Sequence, residues 1–380
     1  MNKDVWCALP WSHICIRPDN TLKPCCRYQF LPGDAAQHSV ALSDVGDHAD
    51  AALNTEYLKQ LRRDLLAGTP RVECKKCSVE EKNHRSSLRT NMTPVMKLDP
   101  ATLTDEFDGV RYLELSIDNI CNLQCKMCDS KFSSRLIQRD RFLGNPVHRK
   151  LEPSYDQLSK LDLSKLARIK LLGGEPFITP NFERFIDYIA QHVDVSQVYL
   201  DINTNATAIP SADIVYKLNQ FGFLEFNVSL DSYSLSNNYQ RWGSDYLQVF
   251  SNVKQYEKLF DKKYIAYHST ISTLTANHLA HTVNILHDLH GYHISIDFVR
   301  SPELLCMLYA PEDYVDWIIE SNQNNAMAYS VTKNFLKDAA YDPIIWQQFL
   351  DHTAKLDQYY KTTLQDYNPE LSKFLSKLYK

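Results

Sequence analysis

From residue 111 onward the chain alternates between two hydrophobic periods, and this alternation restricts its fold more than any other feature. Short runs rich in β-branched and aromatic residues stand at 111–117 (RYLELSI), 168–172 (RIKLL), 197–203 (QVYLDIN), 224–230 (LEFNVSL), 264–271 (YIAYHSTI) and 293–299 (HISIDFV). Between them lie helical patterns. In TPNFERFIDYIA, Thr179 suits a cap, Pro180 the first helical position, and Phe182, Phe185, Ile186 and Ile189 one apolar face. In SADIVYKLNQFG, Ile214, Val215, Leu218 and Phe221 form the face and Gly222 the stop. Parallel neighbours need a long crossover connection, so six strands each followed by a helix predict an α/β fold around a parallel sheet, flat or curled into a partial barrel. Such sheets carry their chemistry at the carboxyl ends of the strands. The texture changes near residue 105. Residues 1–105 are irregular apart from a helical stretch at TEYLKQLRRDLLAG, 106–305 alternate, and 306–380 read as a helical extension.

The formal charge of -5 comes without blocks of lysine or arginine, which argues against a nucleic-acid partner. No stretch reaches the roughly 20 apolar residues that span a bilayer, and MNKDVWCALPW lacks the layout of a secretory signal. The expectation is a cytoplasmic protein with no membrane partner. Ten cysteines in a reducing compartment point to metal rather than disulfides.

Three of them, Cys121, Cys125 and Cys128 in CNLQCKMC, sit on the loop directly after the first strand. A structural zinc site normally closes with four ligands, and here the fourth is missing. A four-iron cluster on three thiolates instead keeps one iron free for a ligand that is not protein. The spacing alone leaves both readings open. After the second strand, Gly173, Gly174 and Glu175 in LLGGEP offer a close backbone approach and a carboxylate for an ammonium group; a plain strand-to-helix turn is the alternative.

With CNLQCKMC and GGEP in sequence, residues 108–302 resemble the radical S-adenosylmethionine (SAM) superfamily. The resemblance implies a partial (β/α)6 TIM-type barrel, a 4Fe-4S cluster on Cys121, Cys125 and Cys128, and SAM chelating its free iron. It further implies reductive cleavage of SAM to a 5'-deoxyadenosyl radical, and a low-potential electron donor such as flavodoxin or ferredoxin. Matched position by position, Gly173, Gly174 and Glu175 would meet the methionyl amino group. Ser229 in SLD and Arg241 in YQRWG would meet the carboxylate or ribose. Asn205, Thr270 and Val299 either line the same cleft, with Val299 against adenine, or fill core and turn positions. Met127 stands where an aromatic residue is usual and can cover adenine.

Residues 1–105 resemble the shortened auxiliary-cluster module called twitch, related to SPASM, placed before the barrel. Its ligands would be Cys7, Cys25, Cys74 and Cys77, with Asn20 in place of a turn glycine and Cys26 an alternative to Cys25. Structural zinc on the same four thiols is the competing reading. Cys15 reads as a packed strand residue. Cys306 reads either as a small buried hydrophobe or, by resemblance to radical epimerases, as a hydrogen-atom donor. The expected activity is epimerisation or dehydrogenation of a small molecule such as a sugar or aminoglycoside-like alcohol. The alternatives are a maturase of ribosomally made peptides and a non-catalytic zinc scaffold.

Overall fold

The computed structural model describes residues 5–33, 38, 40–42, 45, 49–82, 86–148 and 158–378. Its strands are β1 His13–Ile16, β2 Thr21–Lys23, β3 Val40–Ala41, β4 Tyr112–Ser116, β5 Gln124–Cys125, β6 Arg168–Leu172, β7 Tyr199–Thr204, β8 Phe223–Ser229, β9 Arg241–Trp242, β10 Lys263–Ile271 and β11 His293–Phe298. The six expected strands are β4, β6, β7, β8, β10 and β11. They lie side by side in the order β11-β10-β8-β7-β6-β4, parallel throughout.

Alternation explains how each strand divides its two faces. In β6, Ile169 and Leu171 are buried while Arg168, Lys170 and Leu172 are half-exposed; in β8, Leu224, Phe226 and Val228 are buried between half-exposed neighbours. The apolar face packs on helices such as Pro180–His192. That helix is capped by Thr179, whose hydroxyl accepts from Asn181 N at 3.2 Å, and it buries Phe182, Phe185, Ile186 and Ile189. The opposite face is polar.

Residues 13–23 extend this sheet: Cys15 is buried in β1 as expected of a packed strand residue, but the run HICI did not announce which sheet it joins, because an apolar run of four carries no distinguishing period. Strand β1 pairs in parallel with β4, and β2 and β3 follow antiparallel. One cross-strand row of polar side chains therefore runs from Lys23 through Cys15, Glu114, Lys170, Asp201 and Glu225 to Tyr264. Within it Lys170 Nζ lies 2.9 Å from Asp201, and Arg168 bonds Glu225 at 2.9 Å.

The carboxyl-terminal stretch is helical as its pattern implied, with Glu312–Ser321, Ala326–Leu336, Pro343–Tyr360 and Pro369–Leu378. Helix Pro343–Tyr360 reaches the three-thiol loop, where Tyr360 Oη donates to Gln124 O at 3.2 Å. Among the described residues, no helix is long and apolar enough to cross a membrane.

Candidate metal centre and cofactor cleft

The carboxyl ends of β7, β8 and β10, with Arg241 and the loops after β4, β6, β7 and β11, enclose a cleft of about 750 Å³, within the range typical of cofactor sites. Cys121, Cys125 and Cys128 line it together with Met127, Gly173, Gly174, Glu175, Asn205, Ser229, Arg241 and Thr270. Eleven positions chosen from the sequence thus converge on one cavity. Two do not. Val299 is buried in the core, its N–H donating to Ile271 O at 2.8 Å, and Cys306 is buried in the segment that follows the sixth parallel strand; neither is among the lining residues.

Burial without a compensating cation disfavours thiolate, so it pushes Cys121 up to about 12 and raises Cys125 and Cys128 as well. Metal coordination reverses this preference by supplying positive charge and deprotonating the ligand. Among the described residues, no group of three or more His, Cys, Asp or Glu side chains stands at the spacing that encloses a single ion.

The loop carrying the thiols is fixed from several directions. Cys125 pairs with Arg241 across β5 and β9. Arg139, itself buried, donates to Cys125 O at 2.8 Å and to Cys128 O at 2.5 Å. Asp118 accepts from Ile120 N at 2.8 Å, Thr179 Oγ1 at 2.5 Å and Asn181 Nδ2 at 2.9 Å, tying the loop to the start of helix Pro180–His192.

The glycine pair works differently from the expectation of a ligand approach alone. A Cβ on Gly174 would lie 1.9 Å from Ile120 O, and Gly173 has φ +109 with its Cβ position 2.5 Å from Asp118 O. Both glycines let the loop after β6 dock against the three-thiol loop, sealed by Gly174 N to Asp118 O at 2.9 Å and Glu175 N to Ile120 O at 2.7 Å. Glu175 is buried, which pushes its carboxyl up to about 7. Its oxygens already accept from Thr204 Oγ1 at 2.7 Å, Asn205 N at 2.6 Å and Phe177 N at 3.3 Å, so this residue also fixes the end of β7.

Arg241 is buried against Asp231, with Nε 2.7 Å and Nη2 2.8 Å from its carboxylate. Burial opposes the guanidinium charge, but Asp231 and then Cys125 outweigh it and hold it protonated. Asp231 also accepts from Thr270 N at 2.8 Å, so one fully buried carboxylate positions two cleft residues. Sequence reading stopped at Ser229 of SLD and missed Asp231, although the motif contained it. It also missed Arg139 and Lys126. Lys126 is buried, its Nζ has no hydrogen-bond partner among the described residues and lies 3.8 Å above the Tyr239 ring and 4.8 Å from that of Tyr360; burial pushes it down to about 7.

The amino-terminal thiols form a second neighbourhood. Cys7 acts electrostatically on Cys25, and Cys74 and Cys77 act on Cys7. Burial pushes Cys7 up to about 12 and Cys74 up to about 11. Cys26 bridges the two settings, its side chain hydrogen-bonded both with Cys25 and with Glu114 on the sheet, and Cys15 Sγ is 3.7 Å from Glu114 Oε1. Cys7 and Cys77 act on Cys25, the member of the adjacent pair that also bonds Cys26.

Residues 115–274 match the Radical SAM superfamily model, so the chain contains a Radical SAM superfamily domain bearing the three-thiol loop. It is 29% identical over 133 residues to GTP 3',8-cyclase of Syntrophomonas wolfei, covering 33% of this chain and 35% of that protein. It is 27% identical over 150 residues to Molybdenum cofactor biosynthesis protein 1 of Dictyostelium discoideum, covering 38% and 22%. The chain thus spans about a third or less of the length of these curated relatives. Among solved structures it is similar to native anSMEcpe with bound AdoMet (TM-score 0.42, 16% identity, 59% of this chain and 63% of that one). It is also similar to SuiB of Streptococcus suis bound to S-adenosylmethionine (TM-score 0.33, 13% identity, 76% and 52%).

Proposed function

We propose that this radical SAM enzyme cleaves SAM reductively and takes a hydrogen atom from a small hydroxylated molecule, and that its six parallel strands curl into a partial barrel around the polar face. The carrying observation is that three thiols, and not four, face a cleft shared with Gly174, Ser229, Arg241 and Thr270. The donor set fits a 4Fe-4S cluster with one iron left for SAM, whose amino acid end would meet the loop after β6 and whose carboxylate or ribose would meet Arg241 and Ser229. When bound there, the reduced cluster supplies the electron that splits SAM into methionine and a 5'-deoxyadenosyl radical. The protein's own work is placement and exclusion of water. Asp231 aims Arg241, Asp118 and Arg139 fix the thiol loop, and the helix Pro343–Tyr360 covers it.

Cys7, Cys25, Cys74 and Cys77 are proposed as a closed ligand set for an auxiliary 4Fe-4S cluster of twitch type. Their electrostatic influence on one another and the burial of Cys7 and Cys77 support it. A flavodoxin- or ferredoxin-like donor supplies the reducing electron.

The names of the curated relatives make cyclisation of a nucleoside triphosphate the second reading. On the polar face the β6 cations Arg168 and Lys170 are both bound to carboxylates, which favours the uncharged substrate. The test is anaerobic incubation of reconstituted protein with SAM, dithionite and, separately, sugars, aminocyclitols, GTP and short peptides. About eight irons per chain, release of 5'-deoxyadenosine and consumption of a sugar or aminocyclitol support the proposal. Consumption of GTP or a peptide alone would transfer the assignment.

A further inference from the structure

Below the cofactor cleft, the polar face of the sheet carries one accessible acid-base pair that the site described so far does not use. His268 on β10 is directly opposite Ser229 in the β8–β10 register and two residues from Thr270, both of which line the cleft. Two residues of a strand separate it from Thr270 by roughly 7 Å. Its Nε2 lies 3.7 Å from Asp297 Oδ2 on β11, and the two side chains are 38% and 66% exposed. The pair is therefore open to a ligand that the deeper groups cannot reach.

We propose that His268, oriented by Asp297, is the acid-base group that takes a hydroxyl proton from a polyhydroxylated substrate lying against this face. The inference rests on the radical reading of the preceding subsection. The surrounding groups define the substrate class. Asn203, Ser229 and Thr270 line the cleft above and Asn227 continues their face; all four are uncharged hydrogen-bonding side chains. The cations next in the row are neutralised, Lys170 by Asp201 and Arg168 by Glu225. Such a face recognises hydroxyl groups and gives no free cation of β6 to a phosphate.

Loss of a hydrogen atom from a carbinol carbon leaves a radical whose O–H is far more acidic than that of the parent alcohol. Imidazole accepts that proton and becomes imidazolium. The resulting radical anion would become the carbonyl product on losing one electron, which an oxidised cluster held by Cys7, Cys25, Cys74 and Cys77 would accept, and imidazolium would return its proton to water. One C–H and one O–H bond break, the C=O bond forms, and the charges balance.

The groups acting on His268 are Asp297 on β11, Arg241 on β9, Asp231 in the loop after β8 and Lys170 on β6. Burial lowers its proton affinity, and Asp297 only partly restores it, so the neutral base is the form present at pH 7. Asp297 also acts electrostatically on Lys76 of the segment Lys75–Lys82.

Cluster-loaded wild type, His268→Gln and Asp297→Asn are incubated anaerobically with SAM, dithionite and, in separate runs, myo-inositol, glucosamine and glycerol. The readouts are 5'-deoxyadenosine and hydrazine-trapped carbonyl between pH 5 and 9. Wild type should form carbonyl from at least one probe, with a rate that falls on the acid side below pH 6.5. His268→Gln should keep 5'-deoxyadenosine within about twofold, lower carbonyl about 100-fold and lose the acid limb. Asp297→Asn should move that limb to lower pH, because removing the carboxylate makes the ring easier to deprotonate. An unchanged limb in His268→Gln, or no carbonyl from any probe while 5'-deoxyadenosine is formed, overturns the proposal. Absence of 5'-deoxyadenosine in wild type overturns the radical reading beneath it instead.

Discussion

The two thiol neighbourhoods of this chain use the same side chain in opposite settings. Cys121, Cys125 and Cys128 open onto a cavity of about 750 Å³, and their loop is clamped by Arg139, Asp118 and the backbone of Arg241. Cys7, Cys25, Cys74 and Cys77 influence one another in the amino-terminal region, with Cys26 bonded both to Cys25 and to Glu114. An open set of three leaves room for a ligand that is not protein, whereas the proposed closed set of four would leave room only to pass electrons. The difference is one of supply as well as number. The first set is held by loops that leave a parallel sheet at its carboxyl ends, and the second lies on segments before β1, after β2 and at Val72–Lys82.

The largest effect should come from breaking the open set. Cys125→Ala is expected to remove about four irons per chain and to abolish 5'-deoxyadenosine formation, read by iron assay and chromatography. Gly174→Ala comes next, since its Cβ would overlap Ile120 O. We expect a loss of about 3 kcal/mol or more in urea unfolding, with the cleft cluster lost while the amino-terminal one survives.

These two positions also show what the sequence made legible. The thiols and the glycine pair were visible because their spacing is short and their residue types are few. Six strands were visible because β6 and β8 alternate cleanly. Asp231, Asp118 and Arg139 were not, because a buried polar residue earns its role through partners far along the chain, as Asp118 does with Asn181 and Arg139 with Cys125. Cys15 was legible as a packed strand residue, but the pairing of β1 with β4 was not, because four consecutive buried residues, His13 to Ile16, have no period to read. The purpose of the glycines was only half visible. Their need for space is plain in sequence, but the object that fills it, the backbone at Asp118 and Ile120, appears only in three dimensions.

Breaking the closed set should separate the two regions. Cys77→Ala is expected to remove about four irons while leaving uncoupled 5'-deoxyadenosine formation within a few-fold of wild type; equal loss of both clusters would show that the regions are one cooperative site. The smallest effect belongs to the seam between them. His13 is fully buried on β1, stacked on Tyr112 at 4.2 Å, and burial pushes it down to about 3. Its folded-state value lies below its unfolded one, so its neutral form stabilises the fold above pH 6.5 and that contribution is lost as pH falls toward 3. At pH 5 the loss is on the order of 2 kcal/mol. His13→Phe should lack this part of the acid sensitivity, checked by urea unfolding at pH 7 and pH 5, with cofactor binding unchanged.

The most direct measurement is SAM cleavage by the reconstituted protein under anaerobic, strongly reducing conditions, comparing wild type with Cys125→Ala. Stoichiometric methionine and 5'-deoxyadenosine from wild type, and neither from the variant, is the result predicted by a cluster with one iron open to SAM. A colourless, zinc-loaded wild type that leaves SAM intact would contradict it.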